Sequence, residues 1–485
     1  MGSSGGSTDG SAGAGGLHPS MGGSGGGMGG ADGGAGGSGT GGVPFEAVPG
    51  LNSPLIRHIF TADPAALASG DRLYIYTGRD EAPSGEESYR MYAWHVFSTT
   101  NMADWTDHGP VLRPGDFSWG ASDAWAGHVV EREGRFYWYV PIRHRTINGF
   151  AIGVAAADSP IGPFTDARGS AIITNDMTTN VNSSYDDIDP AVFVDDDGQA
   201  YLYWGNTSLK AVRLQDNMID TEGDIIYIDV PSFTEAPYLN KVNGTYYLTY
   251  AYGWPESIVY ATSDSPLGPF SAPRTLNATL PSETNHQSLV QFNDTWYFIY
   301  HNAALLGGSP HHRSVTADLL HFELDGSIRE IEQTEGGVVQ TGPGPVAENT
   351  DYRIVSRLSG KAAVPSANTD GAAVVQLTET GGEDEKWRFR RVGSGTYQIL
   401  NDATELCLDV ANGSTQGRAE IQQAHCVEEA RQYFRLVGTG DGYFAIVNYA
   451  SGKVLDVLDL STAEGAPIIQ WDYLYNQNQQ WEIVE

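Results

Sequence analysis

The chain has 485 residues, of which 60 are acidic and 27 basic, for a formal net charge of −33. That surplus repels phosphate backbones and excludes nucleic acid as a partner, and the absence of any run of about eighteen apolar residues excludes a membrane-spanning helix. The length asks for more than one core. The 11% aromatic content, spread over short Tyr- and Trp-rich runs between 60 glycines, points to an all-β protein.

Residues 1–43 are almost entirely Gly, Ser, Ala, Asp and Thr. Such a segment buries too little apolar surface to offset its ordering entropy and is expected to be a disordered linker. From 44 to 345 strands and turns alternate, with no amphipathic period long enough for a helix. Five segments end in an aromatic strand, and aligning them puts Tyr74, Tyr137, Tyr201, Tyr247 and Tyr297 in register at spacings of 46 to 64 residues. The clearest unit runs from Asp187 to Asn206, where an Asp195-Asp-Asp-Gly198 turn joins two β-prone runs. Repeats of this length, each holding several strands, predict a five-bladed β-propeller.

About eleven or twelve residues before each tyrosine, at the start of the preceding strand, stand Asp63, Trp125, Asp189, Glu235 and the pair Asn285-His286. The innermost strands of a propeller line its axis, so these positions converge and bring three carboxylates to one mouth of the channel. Glycoside hydrolysis needs such a set: a neutral acid for the leaving oxygen and an ionised base for water. A third carboxylate tunes the others, because like charges raise a neighbour's pKa.

Thr-Ala-Asp63-Pro, Asp-Ile-Asp189-Pro and Phe-Thr-Glu235-Ala-Pro, in that order on a five-fold repeat, resemble glycoside hydrolase family 43. The resemblance implies Asp63 as general base, Asp189 as the residue that modulates pKa and orients the acid, and Glu235 as general acid, with inversion at the anomeric carbon. It implies no cofactor for the chemistry. It allows a structural calcium ion or a water at His286 in the channel, makes Arg313 a site arginine able to hold Asp189 or a sugar hydroxyl, and makes Trp125 an apolar wall against the sugar. The stretches around Phe60–Ala66, Asp123–Ala126 and Thr284–His286 look closest to members acting on arabinoxylan. The expectation is therefore an α-L-arabinofuranosidase releasing arabinose branches, with β-xylosidase as the alternative and a non-catalytic polysaccharide-binding protein as the alternative of another class.

Residues 350–485 carry a second repeat. Glu385-Lys-Trp387, Gln432-Tyr-Phe434 and Gln479-Gln-Trp481 recur at equal spacings of 47 residues, which predicts a β-trefoil whose three aromatics share one core. These repeats resemble ricin-type lectin domains, grouped as carbohydrate-binding module family 13. The resemblance implies sugar-binding residues Asp409, Asn412 and Gln422 in the second repeat, and Asp456, Gln470, Trp471, Tyr473 and Asn478 in the third. The first repeat has Val364 where the third has Asp456 and is expected to be inactive. Trefoil lectins often bridge the place occupied by Cys407 and Cys426, the only two cysteines, and an oxidised pair suits an extracellular compartment. The whole reads as a monomeric, secreted or cell-surface enzyme whose partner is plant cell-wall polysaccharide.

Overall fold

A computed structural model describes residues 53–178, 183–334, 338, 344–348, 350–393 and 395–485. The linker expected at 1–43 lies outside them. Among the described residues the helical elements are three-residue 3-10 turns, and everything else regular is strand. None of these helices is long and apolar enough to cross a membrane.

The N-terminal part consists of antiparallel sheets, each begun by a hairpin. Thr61–Ser69 pairs with Arg72–Arg79, His128–Arg132 with Arg135–His144, and Ala191–Val194 with Ala200–Trp204. Tyr238–Val242 pairs with Thr245–Tyr252, and Gln287–Phe292 with Thr295–Asn302. Several of the tight turns put two consecutive residues in the left-handed region: Glu133-Gly134 (φ 55° and 76°), Asn243-Gly244 (51° and 84°) and Asn293-Asp294 (48° and 60°). Their backbone twist matches that of the flanking strands, which is why Asn, Asp and Gly recur there. Third strands follow at Trp94–Thr99, Phe150–Ala157, Leu209–Leu214, Ser257–Ser263 and Ser314–Leu319.

The opening strands pack on one another in cyclic order. His128–Arg132 lies between Thr61–Ser69 and Ala191–Val194; Tyr238–Val242 lies between Ala191–Val194 and Gln287–Phe292; and Gln287–Phe292 returns to Thr61–Ser69. This ring makes the arrangement propeller-like. Apolar faces of successive sheets fill the space between them, as where Tyr139, Ile152 and Val154 of one sheet meet Leu202, Trp204 and Val212 of the next.

The C-terminal part is trefoil-like. Six strands close a barrel: Asp351–Ser356, Trp387–Gly393, Thr396–Asn401, Phe434–Gly438, Phe444–Asn448 and Trp481–Val484, with the last returning to the first. Three hairpins follow the same threefold rule: Ala362–Pro365 with Val374–Leu377, Cys407–Val410 with Ile421–Ala424, and Val454–Val457 with Ala466–Trp471. Trp387, Phe434 and Trp481 are fully buried in one core. Gln376, Gln423 and Gln470 repeat one device: each buried amide donates to two carbonyls of a neighbouring repeat and accepts from a Ser or Thr hydroxyl. Cys407 and Cys426 form a disulfide.

The two parts are joined by buried polar contacts. Arg435 Nη1 donates to the carbonyls of Pro54 and Leu55 at 3.3 and 3.0 Å. The Arg57 guanidinium lies 3.7 Å over the Tyr449 ring. Asp107 accepts from the Tyr475 hydroxyl at 3.1 Å and lies 2.8 Å from His58 Nε2.

Candidate active site

A cavity of about 450 Å³ opens at the end of the ring where the opening strands begin, and Asp63, Asp189 and Glu235 all line it. The same backbone device presents the two aspartates: both stand before a proline with φ at 55°, and Ala236, next to Glu235, has φ 54°. Left-handed residues other than glycine cost on the order of 1–3 kcal/mol and persist where the surroundings hold them. Thr61–Ser69 also carries a bulge between Ala62 and Ala65, which turns Asp63 out of the ladder.

Asp63 is buried, with Oδ1 2.9 Å from Arg313 Nη1 and 3.3 Å from His301 Nδ1. Its own N–H donates to His301 Nδ1 at 3.2 Å, and Nε2 lies 3.0 Å from the Thr284 carbonyl. These partners assign the neutral tautomer with the proton on Nε2. Burial works against an ionised Asp63, but the Arg313 guanidinium outweighs it and holds the carboxyl well below the usual carboxylate range.

Glu235 has the opposite environment. Burial and then the neighbouring Asp189 charge push its carboxyl up to about 8, against one opposing hydrogen bond from Asn206 Nδ2 at 2.7 Å. Asp189 accepts from the Ala236 N–H at 3.1 Å, and its Oδ2 lies 3.5 Å from His286 Nδ1. Burial opposes protonation of His286, yet Asp189, Asp63 and Glu235 together raise its pKa.

Arg313 differs from the expectation. It is buried, and its partners are Asp63 and Asp80: Nη2 lies 2.9 Å from Asp80 Oδ1, Nε 3.0 Å from Asp80 Oδ2, and the backbone N–H donates to the same oxygen. It does not hold Asp189. Its guanidinium also stacks 4.8 Å over the Tyr89 ring, which leaves it a fixed counter-charge for Asp63. Trp125 lines the cavity, held by Nε1 donating to the Tyr89 carbonyl and by packing on Phe150.

The calcium expectation finds no cage. His286 is engaged with Asp189, and among the described residues no three His, Cys, Asp or Glu side chains group as metal ligands. A hard cation takes six to eight oxygen ligands.

Several residues of the site escape a reading of motifs: Asp80, Asn206, Glu256 and His301. Antiparallel pairing explains three of them. Thr61 pairs with Arg79, Ala191 with Tyr203 and Gln287 with Tyr300, so Asp80, Asn206 and His301, just beyond those partners, return to the mouth where the opening strands began. Glu256, 1% exposed, accepts from the Asn285 N–H at 2.8 Å; burial and then Glu235 push it up to about 10, so it stays neutral. The Asp189 loop rests on Lys210, whose buried ammonium lies 3.0 Å from Asp186 Oδ2 and 3.6 Å from Asp187 Oδ1.

In the trefoil the expected sugar ligands separate. Asp456 accepts from Asn478 Nδ2 at 2.9 Å and Gln479 Nε2 at 2.8 Å, and burial pushes its carboxyl up to about 6. Trp471 is half-buried in the same hairpin, facing Arg418. Gln470 is spent on the threefold tie and cannot serve a sugar. Tyr473 is 2% exposed, its ring 5.5 Å from that of His58, so it belongs to the joint between the two parts. In the second repeat Asp409 is fully buried and accepts from Gln422 at 3.2 Å and Gln432 at 2.7 Å, whereas Asn412 is exposed in a left-handed turn.

Comparison with known proteins gives concordant matches. Xylosidase/arabinosidase 43A of Humicola insolens is 31% identical over 57% of this chain and 98% of its own length. The arabinoxylan arabinofuranohydrolase of Bacillus subtilis is 33% identical over 60% of this chain and 66% of its own. A solved β-xylosidase/α-arabinofuranosidase from a compost microbial metagenome, in complex with xylotriose and calcium-free, superposes with a TM-score of 0.52 at 31% identity, covering 59% of this chain and 98% of that one. The ricin-type β-trefoil lectin-like model matches residues 343–424, 383–471 and 430–485. The model for glycosyl hydrolases family 43 matches residues 52–328, over the whole span that supplies Asp63, Asp189 and Glu235, and the chain belongs to that family.

Proposed function

We propose that this glycoside hydrolase is an inverting exo-enzyme of hemicellulose breakdown that removes arabinofuranosyl branches from arabinoxylan. One observation carries the mechanism: Asp63 and Glu235 share a cavity while their environments drive them to opposite protonation states. Glu235 delivers its proton to the glycosidic oxygen as the bond from that oxygen to the anomeric carbon breaks. Asp63 takes a proton from water, whose oxygen forms the new bond to the anomeric carbon from the opposite face. Solvent then restores both groups. Asp189, hydrogen-bonded to the backbone beside Glu235, holds the acid in place and raises its pKa. The ring of five opening strands supports a five-bladed propeller.

The Bacillus subtilis relative and a Paenibacillus polymyxa one, both arabinoxylan arabinofuranohydrolases, support the arabinose reading. β-Xylosidase activity is the second reading, supported by the solved relative that holds xylotriose. Chromatography of sugars released from wheat arabinoxylan tests both: arabinose alone supports the first, xylose the second, and neither sugar overturns both. Proton NMR of the first-formed anomer tests inversion. The trefoil is proposed to retain the enzyme on polymer through Asp456, Trp471 and Asn478. The Cys407–Cys426 disulfide supports a secreted enzyme, which should accumulate in the culture medium; we further propose that it acts as a monomer on cell-wall polysaccharide with residues 1–43 as its linker.

A further inference from the structure

Trp254 is 64% exposed, among the most exposed large apolar side chains of the described residues, and it lines the mouth of the catalytic cavity. Nothing in the hydrolytic steps above uses it. Leaving so large a ring exposed forgoes much of the stabilisation its burial would give, and a mobile loop would be the ordinary explanation.

This loop is not loose. Gly253–Glu256 joins Thr245–Tyr252 to Ser257–Ser263 and is tied at both ends. The Gly253 N–H donates to the Ser232 carbonyl at 3.1 Å, and the Thr234 hydroxyl donates to the Gly253 carbonyl at 2.8 Å. The Glu256 N–H donates to the Glu283 carbonyl at 2.8 Å. The ring is therefore displayed by a fixed backbone.

The ties also say which side of the cavity the ring faces. Thr234 adjoins Glu235, and the Ala251 N–H donates to the Glu235 carbonyl at 3.0 Å, so the Trp254 loop is built onto the segment that carries the acid. A general acid must stand beside the oxygen that leaves, so the leaving group lies on the Glu235 side, opposite the water activated by Asp63. A flat, rigid, apolar face there suits the face of a sugar ring, whose C–H bonds pack on aromatic carbon while its hydroxyls remain in water.

We propose that Trp254 is the binding platform for the leaving-group sugar, the pentose unit of the polysaccharide from which the terminal sugar is cleaved. This rests on the glycosidase reading and adds the half of the substrate that the three carboxylates do not touch.

The test compares wild type, Trp254→Ala and Trp254→Tyr on two substrates with the same glycone: an oligosaccharide, and the glycosyl fluoride, whose leaving group has no ring to stack. Trp254→Ala is expected to lose about tenfold in kcat/KM on the oligosaccharide, mainly through KM, and to stay within about twofold on the fluoride. Trp254→Tyr should restore most of the loss, and the exposed position should leave Tm unchanged. Equal losses on both substrates, or none on the oligosaccharide, would overturn the platform while leaving the glycosidase standing. A wild-type chain that hydrolyses neither substrate would overturn the glycosidase reading and the platform with it.

Discussion

Asp189→Asn isolates the charge that holds Glu235 protonated. After burial, the Asp189 carboxylate is the largest influence raising Glu235, and its hydrogen bond to the Ala236 N–H places it one residue from the acid. At a separation of about 6 Å and an effective dielectric constant of about 20, Coulomb's law gives about 3 kcal/mol, or roughly two pH units. His286 beside Asp189 offsets part of this, so a fall of one to two units is expected. The sign follows from the roles. Glu235 must be protonated, so wild-type activity falls as pH rises through about 8, whereas Asp63 must be ionised, so activity falls only at strongly acid pH. In the variant the alkaline limb should move down by one to two units and the acid limb should stay. The measurement is kcat/KM against pH with an aryl glycoside of poor leaving group, whose hydrolysis needs the acid. An alkaline limb still near 8, or a loss of equal size at every pH, would refute the assignment of Asp189 as the residue that tunes Glu235.

Asp63→Asn should lower kcat by roughly 10³-fold or more, since the base is lost, while circular dichroism stays native because Arg313 keeps Asp80. Glu256→Gln preserves a neutral group that accepts from the Asn285 N–H, so kcat/KM near pH 6 should change by less than about threefold; a larger loss would mean that its proton is used. Arg435→Met removes the charged donor to the Pro54 and Leu55 carbonyls and should cost about 3 kcal/mol in thermal denaturation. For the same reason, removing residues 350–485 is expected to destabilise the propeller as well as weaken retention on insoluble xylan. Asp456→Ala should weaken that retention and leave turnover of small glycosides unchanged.

Periodicity made the architecture legible. Tyrosines in register mark second strands, and Trp or Phe every 47 residues marks a threefold core; both patterns are local and repeat because each unit solves the same packing problem. The three carboxylates were legible for a related reason: equivalent positions of repeated units converge on an axis. Asp80, Asn206 and His301 were not, because they matter only through antiparallel pairing, which carries the far end of each hairpin back to the mouth.

Partners were decided by the tertiary structure. The sequence reading assigned Arg313 to Asp189 or a sugar hydroxyl, and only the fold, across long chain separations, brought it to Asp63 and Asp80. Sequence alone also could not separate Tyr473 from the sugar ligands beside it in the third repeat. Tyr473 lies just beyond the Ala466–Trp471 strand that pairs with the Asp456 strand, and there a buried contact with His58 of the propeller claims it. Local pattern determined which residues share a face; the packing of distant segments determined what each face meets, and through it which carboxyl keeps its proton.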